Sequence, residues 1–277
     1  MKLGLSSSLE HKTPGEWAQK LKELGCGCVN FPVDYSHGEA LIQEYVEAAR
    51  ESGLVIAEVG AWCNPISPDK EVREAALFRC KEQLSLADRI GARCCVNVSG
   101  SRGERWDGPY KENLTEETWD LVVKSIQEII DEVKPEHTCY TIEPMPWMYP
   151  MGPDEYLRLI KEVDREHFAV HMDVFNWITT LERYFNNDDF MEECFWKLGP
   201  YIKSCHLKDV ALKQEFTLQF RETACGHGGL NLEKYACLAQ AADPDMPMII
   251  EHLEGDKAYV ESLAYVKQRF SAMEEML

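Results

Sequence analysis

The sequence predicts an α/β protein folded as a single (β/α)8 barrel spanning residues 1–277. Three observations predict it. Short runs rich in β-formers alternate eight times with longer runs of helical periodicity, the pattern of βαβ units around a parallel sheet. Neither a Gly/Ser-rich linker nor a block of like charge divides the chain. The first strand is not followed by the G-x-G-x-x-G of a doubly wound dinucleotide-binding sheet, and the late "CGHGG" at 225–229 does not follow a strand. Parallel units of this number in a chain of this size close into a barrel.

The first strand is "KLGLS" at 2–6. Thr13-Pro14-Gly15-Glu16 then reads as a capping box, with threonine at N-cap, proline at N1 and glutamate at N3. The helix it opens aligns Trp17, Leu21 and Leu24 and stops at Gly25. "CVNFPV" (28–33) is the second strand. A helix over 39–53 follows, with Leu41, Tyr45 and Ala49 at helical spacing and Gly53 as its stop. "LVIAEVGAW" (54–62) precedes a long helix from Pro68 to Ile90, and "ARCCVNVSG" (92–100) precedes a helix over Thr115–Val133. The stripe Trp119, Val122, Ile126, Ile130 marks the buried face of that helix. The remaining units are strand 138–145 with helix 153–163, strand 168–175 with helix 188–198, strand 201–209 with helix 231–242, and strand 246–254 with a last helix from Lys257.

Bulk composition narrows the functional classes. Acidic residues outnumber basic ones 48 to 29, for a net charge of −19. Such a surface repels a phosphate backbone, which argues against nucleic acid as a partner, although a local basic patch could still exist. No apolar run approaches the ~18 residues a membrane span requires. The eleven cysteines are scattered through strands and helices without a repeated C-x-x-C. Together with a first segment unlike a secretory leader, this predicts buried thiols in a reducing cytoplasm.

Barrel chemistry sits at the C-terminal ends of strands, so charged groups that end apolar runs are the candidates. "TCYTIE" ends in Glu143, "FAVHMD" in Asp173, "YIKSCH" in His206 and "MPMIIE" in Glu251. Neighbouring strands lie under about 5 Å apart, so these four can converge. One such residue is ordinarily a salt-bridged or half-exposed group; four on consecutive strands point to a shared centre. Three crowded carboxylates need a cation, and three oxygens with one imidazole suit Mn2+, Mg2+ or Co2+ rather than thiolate zinc.

These four residues, with "VHMDVFN" (170–176) and "CHLKD" (205–209), resemble the xylose isomerase-like TIM-barrel superfamily of sugar phosphate isomerase/epimerase-like proteins over residues 2–270. The resemblance implies a metal, Mn2+ first, held by Glu143, Asp173, His206 and Glu251. It also implies that Glu143 and Glu251 are the acid/base pair that moves a proton next to a carbonyl. Two departures bear on the substrate. "EPMPWMYP" (143–150) lacks the second glutamate common in epimerases of this branch, and Asn176 stands where they often have histidine. An endonuclease IV-like role would need several more histidines than the eight present.

Further residues are assigned by position. His171, two residues before Asp173, points the same way one layer lower, either to orient a ligand or as a bonded core histidine. Lys208 stands likewise above His206, to bind substrate or to pair with Asp209 or a carboxylate of the site. Asn176, Trp147, Trp62 and His227 are expected near substrate, although both tryptophans could equally pack their loops. Arg102 and Arg105 read as a solvated loop. Strand alternation turns His252 away from the axis. The reading is a metal-dependent sugar isomerase or epimerase. The rivals are a lyase or dehydratase on a keto-sugar, including cleavage of a 3-keto glycoside, and a non-catalytic metal- or sugar-binding barrel. A homo-oligomer is compatible with each, and the 3-keto glycoside reading also allows, as the resemblance implies, a hetero-oligomer with a small subunit.

Overall fold

The computed structural model describes residues 1–274. Its barrel strands are β1 (Lys2–Leu5), β2 (Cys28–Asn30), β3 (Val55–Gly60), β4 (Cys94–Asn97), β5 (Cys139–Ile142), β6 (Phe168–Met172), β7 (Ile202–Leu207) and β10 (Pro247–Ile250). They are parallel and follow one another in space as β1-β10-β7-β6-β5-β4-β3-β2. The seam between β1 and β2 brings the sheet nearly to closure. There the Gly27 amide donates to Leu3 O at 2.8 Å. Gly4 is required at this seam because a Cβ would stand 2.4 Å from Cys28 O.

The helices are α1 (Pro14–Glu23), α2 (Glu39–Ser52), α3 (Lys70–Ile90), α4 (Glu116–Val133), α5 (Pro153–Val163), the short α6 (Leu181–Phe185), α7 (Asn187–Leu198), α8 (Leu232–Ala242) and α9 (Gly255–Glu274). Thr13 caps α1 by accepting the Glu16 amide, as the capping box requires, but Glu16 reaches back to the Lys12 amide at 2.9 Å rather than to Thr13. In α2 the buried stripe is Ile42, Tyr45 and Ala49, one residue round from the expected start at Leu41, which is only partly buried. α4 buries the expected Trp119, Val122, Ile126 and Ile130. No helix among the described residues is long and apolar enough to cross a membrane.

Two features of the fold serve the barrel mouth. Tyr156 of α5 is buried and ties β5 to β6, donating to Ile142 O at 2.6 Å and lying 3.2 Å from Ala169 O. That fixes the two strand ends that carry Glu143 and Asp173. The second feature was not expected from sequence: an antiparallel hairpin of β8 (Asp209–Lys213) and β9 (Gln219–Thr223) rises between β7 and α8. Its strands mix Val210, Ala211, Leu212 and Phe220 with charged and polar residues, and its tip exposes Phe216 fully. Mostly polar and short, it carries no buried face that would announce a strand.

Asp209 anchors this hairpin. Its buried carboxylate accepts the amides of Val210, Gly226, Gly228 and Leu230 at 2.8, 3.1, 2.9 and 3.2 Å. The glycines of "CGHGG" serve that anchor. A Cβ at Gly228 would sit 2.2 Å from Asp209 Oδ1, and Gly226 has φ +85°.

Candidate metal centre and active site

Glu143, Asp173 and Glu251 each follow the last residue of their strands, and His206 sits one residue before the end of β7. The Glu143 amide donates to Asn97 O at 2.7 Å, extending the ladder between β5 and β4 by one step. His206 lies opposite Ile249 in the register of β7 and β10, which brings Glu251 to its side. Asp173 Oδ1 accepts the Asn176 amide at 3.1 Å. One ligand atom from each of Glu143, Asp173, His206 and Glu251 lies within 4.8 Å of all the others, and all four residues are buried.

The imidazole is the hub of this group. His206 Nδ1 is 2.8 Å from Glu251 Oε2, 3.2 Å from Glu143 Oε1 and 3.8 Å from Asp173 Oδ2. Asn176, expected near substrate, holds Glu143 Oε1 with its amide at 3.1 Å and also bonds Pro144 O. Lys208 points to the same centre, as alternation from His206 predicts. Its ammonium pairs with Glu251 Oε1, stands 2.7 Å from Asp173 Oδ2 and is 3.4 Å from Glu222 Oε1 of the hairpin. Of the two expected uses of Lys208, pairing with carboxylates of the site is the one this structure contains.

These contacts divide the carboxylates electrostatically. Burial pushes Glu143 up to about 7, the Glu251 and Asp173 charges add to it, and His206 only partly offsets them. Burial would raise Glu251 too, but His206 and Lys208 outweigh it and hold that carboxyl down to about 2. Asp173 is held well below the usual range against its burial, by Lys208 and His206. Around neutral pH one glutamate therefore carries a proton part of the time while the other is ionised.

The donor set fits a divalent cation. Three carboxylates and one ring nitrogen converge, and the buried Asp173 Oδ2 accepts no well-angled hydrogen bond even with Lys208 at ion-pair distance. Such an ion would be held by Glu143, Asp173, His206 and Glu251.

The other candidates spread more widely. His171 is fully buried beneath the site, its ring 4.1 Å from that of His206, and its Nδ1 is 2.6 Å from Ser204 Oγ. Trp62, with φ +42°, is half-buried and folds its indole over Gly60, where a Cβ would meet it at 1.8 Å. Trp147 donates from Nε1 to Asp107 O at 2.7 Å and so belongs to the wall shared with the loop after β4. His227 is exposed, and its side chain makes no hydrogen bond to the cluster among the described residues. Arg102 donates to Ile66 O, and Arg105 pairs with Asp107.

Two residues escaped the sequence reading. His252 does not turn away: its φ of +56° breaks strand alternation, so Nδ1 lies 2.7 Å from Glu222 Oε1 and Nε2 lies 3.5 Å from Glu251 Oε2. The rule that successive side chains alternate stops at Ile250, where β10 ends. Glu58 of β3 is also at the centre, fully buried with Oε1 3.3 Å from His206 Nε2. Its signal was present, an acid inside the apolar run "VIAEVG", but it lies within the strand instead of closing it.

The profile of the xylose isomerase-like TIM barrel matches residues 18–269. No curated protein matches the sequence. Among solved structures, a xylose isomerase-like TIM barrel protein from Mycobacterium smegmatis in complex with magnesium is 17% identical, with a TM-score of 0.70 over 98% of this chain and 97% of that one. The 3-keto-D-glucoside 4-epimerase of E. coli is 17% identical, with a TM-score of 0.70 over 97% and 99%. A probable 3-DHS dehydratase from Bacillus anthracis is 14% identical, with a TM-score of 0.74 over 96% and 98%. At these identities the likeness is one of fold.

Proposed function

The chain belongs to the xylose isomerase-like TIM-barrel family, and from that premise we propose that it is a divalent-metal-dependent isomerase or epimerase of a sugar or sugar derivative. The observation that carries this reading is the convergence of Glu143, Asp173, His206 and Glu251 at the barrel mouth, one ligand atom of each lying within 4.8 Å of all the others. Glu143 and Glu251, which both reach His206 Nδ1, are the two carboxylates that would serve as acid and base. Mn2+ is the ion of first choice, with Mg2+ or Co2+ as substitutes. Held by Glu143, Asp173, His206 and Glu251, the ion would stabilise negative charge that develops on substrate oxygen.

The chain's own groups do the rest. Glu251, ionised, takes the proton from the carbon next to the carbonyl. Glu143, when protonated, returns one from its own side. Lys208 keeps Glu251 a weak base while the two are paired, so a substrate oxygen that draws the ammonium away raises the basicity of Glu251 as substrate arrives. Asn176 steadies Glu143 through its 3.1 Å bond. Trp147 and Trp62 offer apolar ring faces for the C–H side of a sugar.

The test is exchange of solvent deuterium into a panel of ketoses and 3-keto sugars with Mn2+ present. Exchange is expected in the wild type and should fall at least about 100-fold in Glu251→Gln, the usual contribution of a positioned acid or base. Full exchange in that variant would refute the assignment. Elimination is the second reading, supported by a fold neighbour described as a dehydratase. Water, alcohol or aglycone released in the same assay would select it.

A further inference from the structure

The layer beneath the proposed metal centre is charged where a barrel interior is ordinarily filled by branched apolar side chains. Glu58, His171 and Ser204 are all fully buried there. Glu58 comes from β3 and His206 from β7, strands separated by β4, β5 and β6 in the sheet order. The carboxylate therefore crosses the barrel axis to reach the histidine. Glu58 Oε1 stands 3.3 Å from His206 Nε2, and Glu58 Oε2 stands 3.4 Å from His171 Nδ1. His171 Nδ1 is also 2.6 Å from Ser204 Oγ, which in turn is 3.3 Å from Cys94 Sγ. The two imidazole rings meet edge-on at 73°.

This arrangement is poor as a stabilising device. A buried carboxylate is costly to desolvate, and here Glu58 Oε2 and His171 Nε2 have no hydrogen-bond partner. What it does well is settle the orientation of one ring. His206 has two nitrogens, and they face opposite ways: Nε2 down to Glu58, and Nδ1 up to Glu143, Asp173 and Glu251. A proton on Nε2 has Glu58 Oε1 as its acceptor among the described residues, which leaves the Nδ1 lone pair for the centre above. His171 packs edge-on against the ring, the two centroids 4.1 Å apart.

We propose that Glu58 is the positioning residue of His206. It fixes the ring so that Nε2 carries the proton and Nδ1 is presented to the ion. The inference rests on the metal-centre reading above and deepens it. Carboxylates that hold the far nitrogen of a metal-bound histidine typically govern affinity by about 10- to 100-fold.

The experiment uses the full chain freed of metal with a chelator and titrated with Mn2+, free ion being counted by its electron paramagnetic resonance signal. One ion per chain is expected. Glu58→Leu, which keeps the volume and removes the acceptor, should weaken binding about 10- to 100-fold. Glu58→Gln retains an acceptor toward Nε2–H and should recover part of the loss, a rescue that a packing role would not produce. Unchanged affinity in Glu58→Leu overturns the proposal. So does a second ion in the wild type that disappears in Glu58→Leu, since Glu58 would then be a ligand itself. Should the wild type take up no ion, the metal-centre reading fails, and the role of Glu58 is decided separately. Nitrogen-15 spectra of labelled histidines, recorded without metal at a pH where the His206 ring holds one proton, report which nitrogen carries it. The share of the proton on Nε2 is expected to be larger in the wild type and in Glu58→Gln than in Glu58→Leu; an identical distribution in all three overturns the proposal.

Discussion

Replacing Lys208 with methionine removes one positive charge from a ring of carboxylates and keeps most of the side-chain volume. The residue is 2% exposed, and its ammonium stands 2.7 Å from Asp173 Oδ2 while also pairing with Glu251 and, more distantly, with Glu222. Burial opposes its charge, yet Asp173 and Glu251 hold its pKa well above the usual lysine range. Deleting one member of a buried ion pair costs about 3–5 kcal/mol, because the partners stay behind without compensation. The metal-free protein should bear that cost in full.

In the loaded protein the same oxygens face a divalent ion, so the deletion should cost only about 1–2 kcal/mol. The difference, about 2–3 kcal/mol, must appear as tighter binding of the ion, about 30- to 150-fold. Urea unfolding with chelator and with saturating Mn2+, together with direct titration of the ion, closes the cycle. Turnover should fall in the same variant if the ammonium assists substrate. Weaker metal binding in Lys208→Met, or equal destabilisation of both forms, would refute the idea that lysine and ion share these carboxylates.

Two further outcomes can be measured. Glu143 titrates near 7 against 4.5 for a free glutamate, so the stability this group gives by keeping its proton is complete below about pH 4.5 and lost as pH rises through about 7. Metal-free protein should lose about 3 kcal/mol across that window from Glu143 alone. The plot of log Kd for Mn2+ against pH should be one unit steeper below pH 7 than above it; a straight plot through pH 7 would remove Glu143 from the ligands. Asp209→Ala strands four backbone donors and should cost about 3–5 kcal/mol. It should also expose the hairpin tip to proteolysis, whereas wild-type resistance in this variant would show that the anchor does not hold the hairpin.

Much of the fold was legible because its signals are local and repeated. Thr13 and Thr115 cap the helices they announce, and the eight apolar runs became the eight barrel strands. The cluster was legible for a related reason: an acid or histidine closing an apolar run violates the pattern at a known height in the barrel. Glu58 broke the pattern one layer deeper, and its partner lay across the axis, a relation that no sequence spacing encodes. His252 was misplaced because alternation was carried past the strand's end into a left-handed residue. The hairpin stayed hidden because its faces are not segregated by polarity. Asn176 was read as a substrate contact, and its distance from Glu143 in sequence, 33 residues, conceals that the two are hydrogen-bonded.

Lys208 and Asp209 are adjacent, yet they face opposite structures. One reaches into the mouth of the barrel and the other fastens the loop at 225–230. The hairpin between them and that loop returns Glu222 to the rim. Changes along β8 and β9 therefore adjust the wall of the mouth without touching the register of any barrel strand. The hairpin beyond Asp209 thus stands apart from the barrel ladder, clipped to the scaffold by a single carboxylate.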